Sequence, residues 1–137
     1  MLALALLLAG CDKENLFTVD ASALAADHPD AVLRVQLVHY GELDEGAELD
    51  FAQGETTFTF ETMLQVGIQY GVAAYADLDL DGHCQPTPTD LPWLFTYLPA
   101  YGTDFVWVPD PSESDDAFVA CSWFGDIVDD GSPDAPL

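Results

Sequence analysis

The chain from residue 31 onward predicts an all-β domain, an antiparallel β-sandwich of six or seven strands, and two observations carry that expectation. Short runs of alternating apolar and polar residues recur between positions 31 and 124. Each run is bounded by glycine, proline or clustered acids of the kind that turn a chain. The span is about 100 residues, enough to bury one hydrophobic core and too few for two. Short strands with turns between successive members pack most simply as two face-to-face sheets.

Alternation begins at residues 31–40, where Leu33, Val35 and Leu37 interleave with Arg34 and Gln36 before Tyr40-Gly41. The acidic stretch 42–46 reads as a turn, 47–51 as a short strand and Gly54-Glu55 as another turn. Residues 56–62 alternate Phe58 and Phe60 with threonines, whose branched Cβ suits a pleated surface. A strand over 66–76 follows, with Gly67 and Gly71 as points where it could break. Residues 83–104 read as a long connection in which Pro86, Pro88, Pro92 and Pro99 exclude a regular central strand. A connection of that length is either functional or packed across the domain. Strands at 105–108 and 117–124 flank the acidic turn 109–116, so the sandwich domain is expected to cover 31–125. Residues 126–137 read as an acidic, disordered tail.

The first ten residues are wholly apolar and stop at Cys11. They are too few to span a bilayer and have the length of a signal-peptide apolar region. Leu8-Ala9-Gly10-Cys11 resembles the bacterial lipobox, although no lysine or arginine precedes the apolar stretch. The resemblance implies a signal peptide over 1–10, a diacylglyceryl group on the Cys11 sulfur and a lipidated tether over 11–30 with one loose helical turn near 21–26. The mature protein would be exported and anchored through its N-terminal lipid to the bacterial cell envelope.

Lys13 and Arg34 are the only strongly basic residues, and the formal net charge is −23. Nucleic acid and anionic lipid surfaces would repel such a chain. Half of the residues are hydrophobic, which excludes a disordered acidic polymer.

The most specific local pattern is Asp77-Leu78-Asp79-Leu80-Asp81-Gly82. Three carboxylates at alternate positions, closed by a glycine able to take a sharp turn, suit a hard cation such as calcium. The expected ligands are Asp77, Asp79 and Asp81, the backbone carbonyl of His83, and Asp90 returning from beyond the prolines. Pro88 stands where a helical calcium hand would place its bidentate glutamate. A solvated acidic turn is the alternative. With Cys11 assigned to lipid, Cys84 and Cys121 form an even remainder, which in an exported protein points to a disulfide. Zinc held by His83, Cys84 and Cys121 is the rival, and it lacks a fourth ligand at recognisable spacing.

The pattern Phe60-x-x-x-Leu64-x-x-Gly67-x-x-Tyr70-x-Val72-x-x-Tyr75-x-Asp77-x-Asp79-x-Asp81-Gly82 resembles a family of small bacterial exported domains of unknown function with an immunoglobulin-like or transthyretin-like sandwich. One residue more than usual lies between Gly67 and Tyr70. The resemblance implies that Tyr70 and Val72 belong to the core and that the three aspartates cap its end.

Aromatic residues crowd the region after the acidic loop. Trp93, Tyr97, Tyr101 and Trp107 could form a platform for a glycan or an envelope protein, or could be core. The three histidines are scattered at 28, 39 and 83, and no serine or cysteine carries a nucleophile signature, so no enzyme is expected. The expected function is a calcium-stabilised structural or binding module. A carbohydrate- or peptide-binding module is the alternative, and a metal-dependent hydrolase built on His83 and the aspartates a weaker one.

Overall fold

The computed structural model describes residues 15–114 and 117–126. Seven strands form two sheets: β1 (Phe17–Asp20), β2 (Val32–His39), β3 (Glu42–Asp50), β4 (Thr57–Thr59), β5 (Tyr70–Asp77), β6 (Leu91–Tyr97) and β7 (Phe105–Trp107). One sheet has the order β4-β1-β7 and the other β3-β2-β5-β6. The all-β sandwich is thus as expected. All pairings are antiparallel except β1 with β7. Among the described residues two short α-helices, α1 (Ser22–Asp27) and α2 (Ala117–Ser122), and two single 3₁₀ turns accompany the sheets.

The core lies between the sheets. Leu33, Val35 and Leu37 of β2 and Val72, Ala74 and Ala76 of β5 face Phe17 and Val19 of β1, all nearly free of solvent. Each such large side chain contributes about 1.5–3 kcal/mol by leaving water. Tyr70 and Val72 are core residues, which agrees with the expectation for them. β5 is buried on both faces. On its outer face a smaller cluster gathers Tyr75, Cys84, Cys121 and Phe124, and α2 supplies the cysteine that joins Cys84 in a disulfide.

Five expectations need correction. Residues 15–30 are not a tether: β1 pairs with β4 and β7, Phe17 is wholly buried against Phe60 and Phe105, and Ala21 donates to the Thr56 carbonyl at 2.8 Å. The alternation of Phe17 and Val19 with Thr18 and Asp20 is a strand signal only four residues long. Residues 42–46 are not a turn but the first half of β3. Only Tyr40 and Gly41, with φ of 51° and 75°, make the turn. β3 is an edge strand, so its acids project into water and also discourage edge-to-edge pairing. The connection 83–104 contains β6, which tolerates Pro92 because it too is an edge strand. Residues 117–124 form α2 and a following turn instead of a strand. Asp126 belongs to the domain rather than to a tail, as its hydrogen bonds below show. The rest of the expected tail, and Cys11 with the signal segment, lie outside the described residues.

Candidate metal centre

Asp77 is the last residue of β5, and its place there explains its burial. Alternate residues of a strand share a face, so Tyr75 and Asp77 lie together on the outer face of the four-stranded sheet, beside Arg34 of β2. Arg34 Nη1 donates to Asp77 Oδ2 at 3.1 Å and to the Tyr75 hydroxyl at 3.0 Å. Its Nε donates to Glu48 on β3. The Asp77 side chain is 1% exposed. Gly82 N–H also donates to Asp77 Oδ2, at 2.9 Å, so both hydrogen bonds go to one oxygen. The other, Oδ1, is buried and has no hydrogen-bond partner among the described residues. A buried carboxylate oxygen left bare costs free energy unless something positive meets it.

The loop after β5 is folded by its own acids. Leu80 and Gly82 take positive φ, 59° and 79°, and Gly82 is the residue for which that conformation costs nothing. Asp79 Oδ1 accepts from Asp81 N–H at 3.4 Å and Asp81 Oδ1 from His83 N–H at 2.9 Å. Asp90 closes the loop from its far end. Fully buried, it accepts from Leu78 N–H through Oδ1 (2.9 Å) and from Gln85 N–H through Oδ2 (3.0 Å). The result is four carboxylates, from Asp77, Asp79, Asp81 and Asp90, each offering one oxygen within 4.8 Å of every other.

Negative groups so close together repel one another, and the raised proton affinities of Asp79 and Asp90 reflect it. Burial, reinforced by the charges of Asp77 and Asp79, pushes Asp90 up to about 6. Asp79 is raised by desolvation and by the neighbouring Asp77 carboxyl. Burial also works to raise Asp77, but the Gly82 N–H, the neighbouring Asp79 carboxyl and the Arg34 guanidinium together outweigh it and hold the carboxyl below its ordinary value. Arg34 is the only strong cation hydrogen-bonded to the cluster among the described residues.

The donor set is all oxygen, which suits a hard divalent cation. The four carboxylates supply part of the six to eight oxygens calcium takes, leaving positions for a backbone carbonyl and water. Gln85, tied to Asp90, also has a buried side-chain oxygen without a hydrogen-bond partner.

Every expected side-chain ligand comes together here, including Asp90, thirteen positions beyond Asp77 in the chain. The imidazole of His83 does not join them. Its Nδ1 lies 3.0 Å from Asp126 Oδ1, and Asp126 Oδ2 accepts from Cys84 N–H at 2.7 Å. The acidic loop, the disulfide and the segment at Asp126 are therefore fastened at one place. The zinc alternative falls with the disulfide, since Cys84 and Cys121 are bonded to each other.

Arg34 and Asp126 complete the surroundings of the site, and neither is conspicuous in sequence. Arg34 could have been suspected as one of only two strong bases placed on a strand. Asp126 has no local signal.

The aromatic residues divide. Trp93, Phe95 and Tyr97 line one side of β6 and meet Phe105 and Trp107 of β7, closing the open flank of the sandwich. Trp93 is buried and spends its indole N–H on the Asp110 carbonyl. A shallow cleft of about 280 Å³ remains, lined by Trp93, Leu94, Phe95, Phe105, Trp107 and Glu113. Neither Tyr97 nor Tyr101 lines it, so the four aromatic residues do not form one platform.

Compared with known protein families, characterised proteins and solved structures, the chain shows no significant match to any. The chemistry of the cluster has to be judged from its geometry.

Proposed function

We propose that this chain is an exported, lipid-anchored protein of the bacterial cell envelope whose single β-sandwich is stabilised by one disulfide and one calcium ion, and which acts as a structural or binding module and not as an enzyme. The observation that carries the ion is Asp77 Oδ1, a buried, unpartnered carboxylate oxygen in a cluster of four carboxylates. Arg34 meets the charge through Oδ2, and leaving Oδ1 bare stays costly unless a second cation meets it there. Support for export comes from Leu8-Ala9-Gly10-Cys11 and from the disulfide, since such bonds persist chiefly in oxidising compartments.

The partial set of protein ligands and the opposing guanidinium of Arg34 suit a site of modest affinity, roughly 10⁻⁴ to 10⁻³ M as in extracellular modules. The test has two arms. Mature protein from its native host should carry an acyl mass on Cys11. Its melting temperature should rise in calcium more than in magnesium or sodium at matched ionic strength, because general screening of so acidic a chain acts with any salt. An unacylated Cys11 contradicts the anchoring, and an equal response to magnesium contradicts the calcium site.

A further inference from the structure

The two ends of the sandwich differ in surface chemistry. The acidic loop 78–90 leaves one end. At the other, β2 stops at His39, β5 starts at Tyr70 and β6 stops at Tyr97, three residues side by side in register. Loops at that second end carry Tyr40, Met63, Val66, Leu98 and Tyr101, each more than half exposed, and Leu43 stands just inside β3. Six of the ten large exposed apolar side chains among the described residues gather there. Scattered singly they would need no explanation, but gathered at one end they mark a contact surface.

The chain enters the domain at this same end. Asn15 bridges to Leu64, accepts its N–H through the backbone carbonyl at 2.9 Å, and accepts Thr103 N–H through its side chain at 3.1 Å. Leu16 N–H donates to Asp104 Oδ1. The entering strand is thus clamped between the loops that carry Met63, Val66 and Tyr101. Only residues 12–14 separate Asn15 from Cys11. Four residue steps of fully extended chain reach at most about 14 Å. The headgroup layer of one leaflet is itself some 5–8 Å deep. An acyl chain on Cys11 therefore leaves this end of the sandwich no freedom to stand far from the membrane.

We propose that the Tyr40–Met63–Tyr101 end docks directly on the lipid surface and holds the sandwich upright, with the acidic loop facing away. The eight residues of β5 separate the two ends by about 26 Å. Charge favours the same orientation, because the carboxylate cluster is kept from the membrane and the sequence between Cys11 and Asn15 contributes a lysine, Lys13. A partner protein could cover an apolar end too, but the lipid surface is the one that the chain itself brings there. Glu42, Asp44 and Glu61 at this end make zwitterionic lipid the better fit.

The proposal rests on lipidation at Cys11, and the experiment separates the two. The lipidated full chain is placed in phosphatidylcholine vesicles containing a headgroup photocrosslinking lipid, its acyl mass is confirmed, and lipid adducts are mapped by mass spectrometry. With the ends about 26 Å apart, adducts on residues 40–43, 62–68 and 98–103 should exceed those on 78–85 by about tenfold. The exposed-site variant Met63→Asp/Val66→Asp/Tyr101→Asp should lose that bias while staying folded and vesicle-bound. An acylated protein whose adducts are even or concentrated on 78–85 overturns the docking and leaves the anchor standing. Absence of the acyl group overturns both.

Discussion

Asn in place of Asp90 separates the cost of the carboxylate cluster from its use. Asp90 is fully buried, and its carboxyl is raised from 3.8 to about 6, first by burial and then by Asp77 and Asp79. A carboxyl raised on folding binds its proton more tightly in the native state. Without metal, the native state therefore loses stability as pH climbs from about 4 through about 6, and gains it back on acidification. A shift of this size amounts to about 3 kcal/mol, discounted to about 2 because the loop lies at the surface where water screens charge. Asp90→Asn removes that penalty. It also sets an amide –NH₂ against Leu78 N–H or Gln85 N–H, a lost hydrogen bond that costs about 1–3 kcal/mol. In chelator at pH 7.5 the two effects nearly cancel, and the variant should unfold within about 1 kcal/mol of wild type. Calcium breaks the tie. At ten times Kd the wild type gains about 1.4 kcal/mol, or roughly 5–10 °C, whereas the variant gains little at the same calcium concentration. Thermal unfolding by circular dichroism in chelator and in calcium measures all four values. Equal calcium shifts in the two proteins would refute Asp90 as a ligand. A collapse of the variant in chelator by more than about 4 kcal/mol would refute the electrostatic accounting, leaving Asp90 as a loop staple.

Other consequences can be measured on the same protein. Phe17→Ala should cost about 3–5 kcal/mol in urea unfolding, since the ring is wholly buried between Phe60 and Phe105; no cost would return residues 15–20 to the status of a tether. Replacing both Cys84 and Cys121 with Ala opens a link across 37 residues and should cost about 4 kcal/mol in the chain-entropy model, measured by denaturant unfolding. The hydrogen bond and charge of Asp126 raise the His83 pKa, so this contact stabilises the fold fully below about 6.5 and its contribution fades as pH rises through the folded value. An NMR titration of the His83 ring should show the raised midpoint in wild type and its loss in Asp126→Asn.

What could be read from the sequence followed from periodicity and local spacing. β2, β4 and β5 show alternation or threonine-rich strand chemistry, and Asp77, Asp79, Asp81 and Gly82 announce a sharply turned acidic loop by spacing alone. That Asp90 joins the cluster was within reach because an ion loop with three carboxylates would need a further acid from nearby. β1, the first half of β3, β6 and α2 were not legible, each for its own reason. β1 is four residues long inside an alanine- and acid-rich stretch. β3 carries acids that look like a turn until its edge position exposes them to water. β6 contains a proline that only an edge strand accepts. Apolar residues near Cys121 form a helix because that segment packs on the outside of β5 and β6, a tertiary fact with no short-range signature. The contact of Asp126 with His83 spans 43 residues and is equally silent in the sequence.

The most direct test of the carboxylate cluster as a calcium site is isothermal titration of the folded, disulfide-bonded protein with calcium and, separately, with magnesium at matched ionic strength. One calcium per chain, with Kd on the order of 10⁻⁴ to 10⁻³ M and abolished in Asp79→Asn/Asp81→Asn, is the predicted result. Heats that are identical for the two cations, or that survive the double substitution, would contradict it.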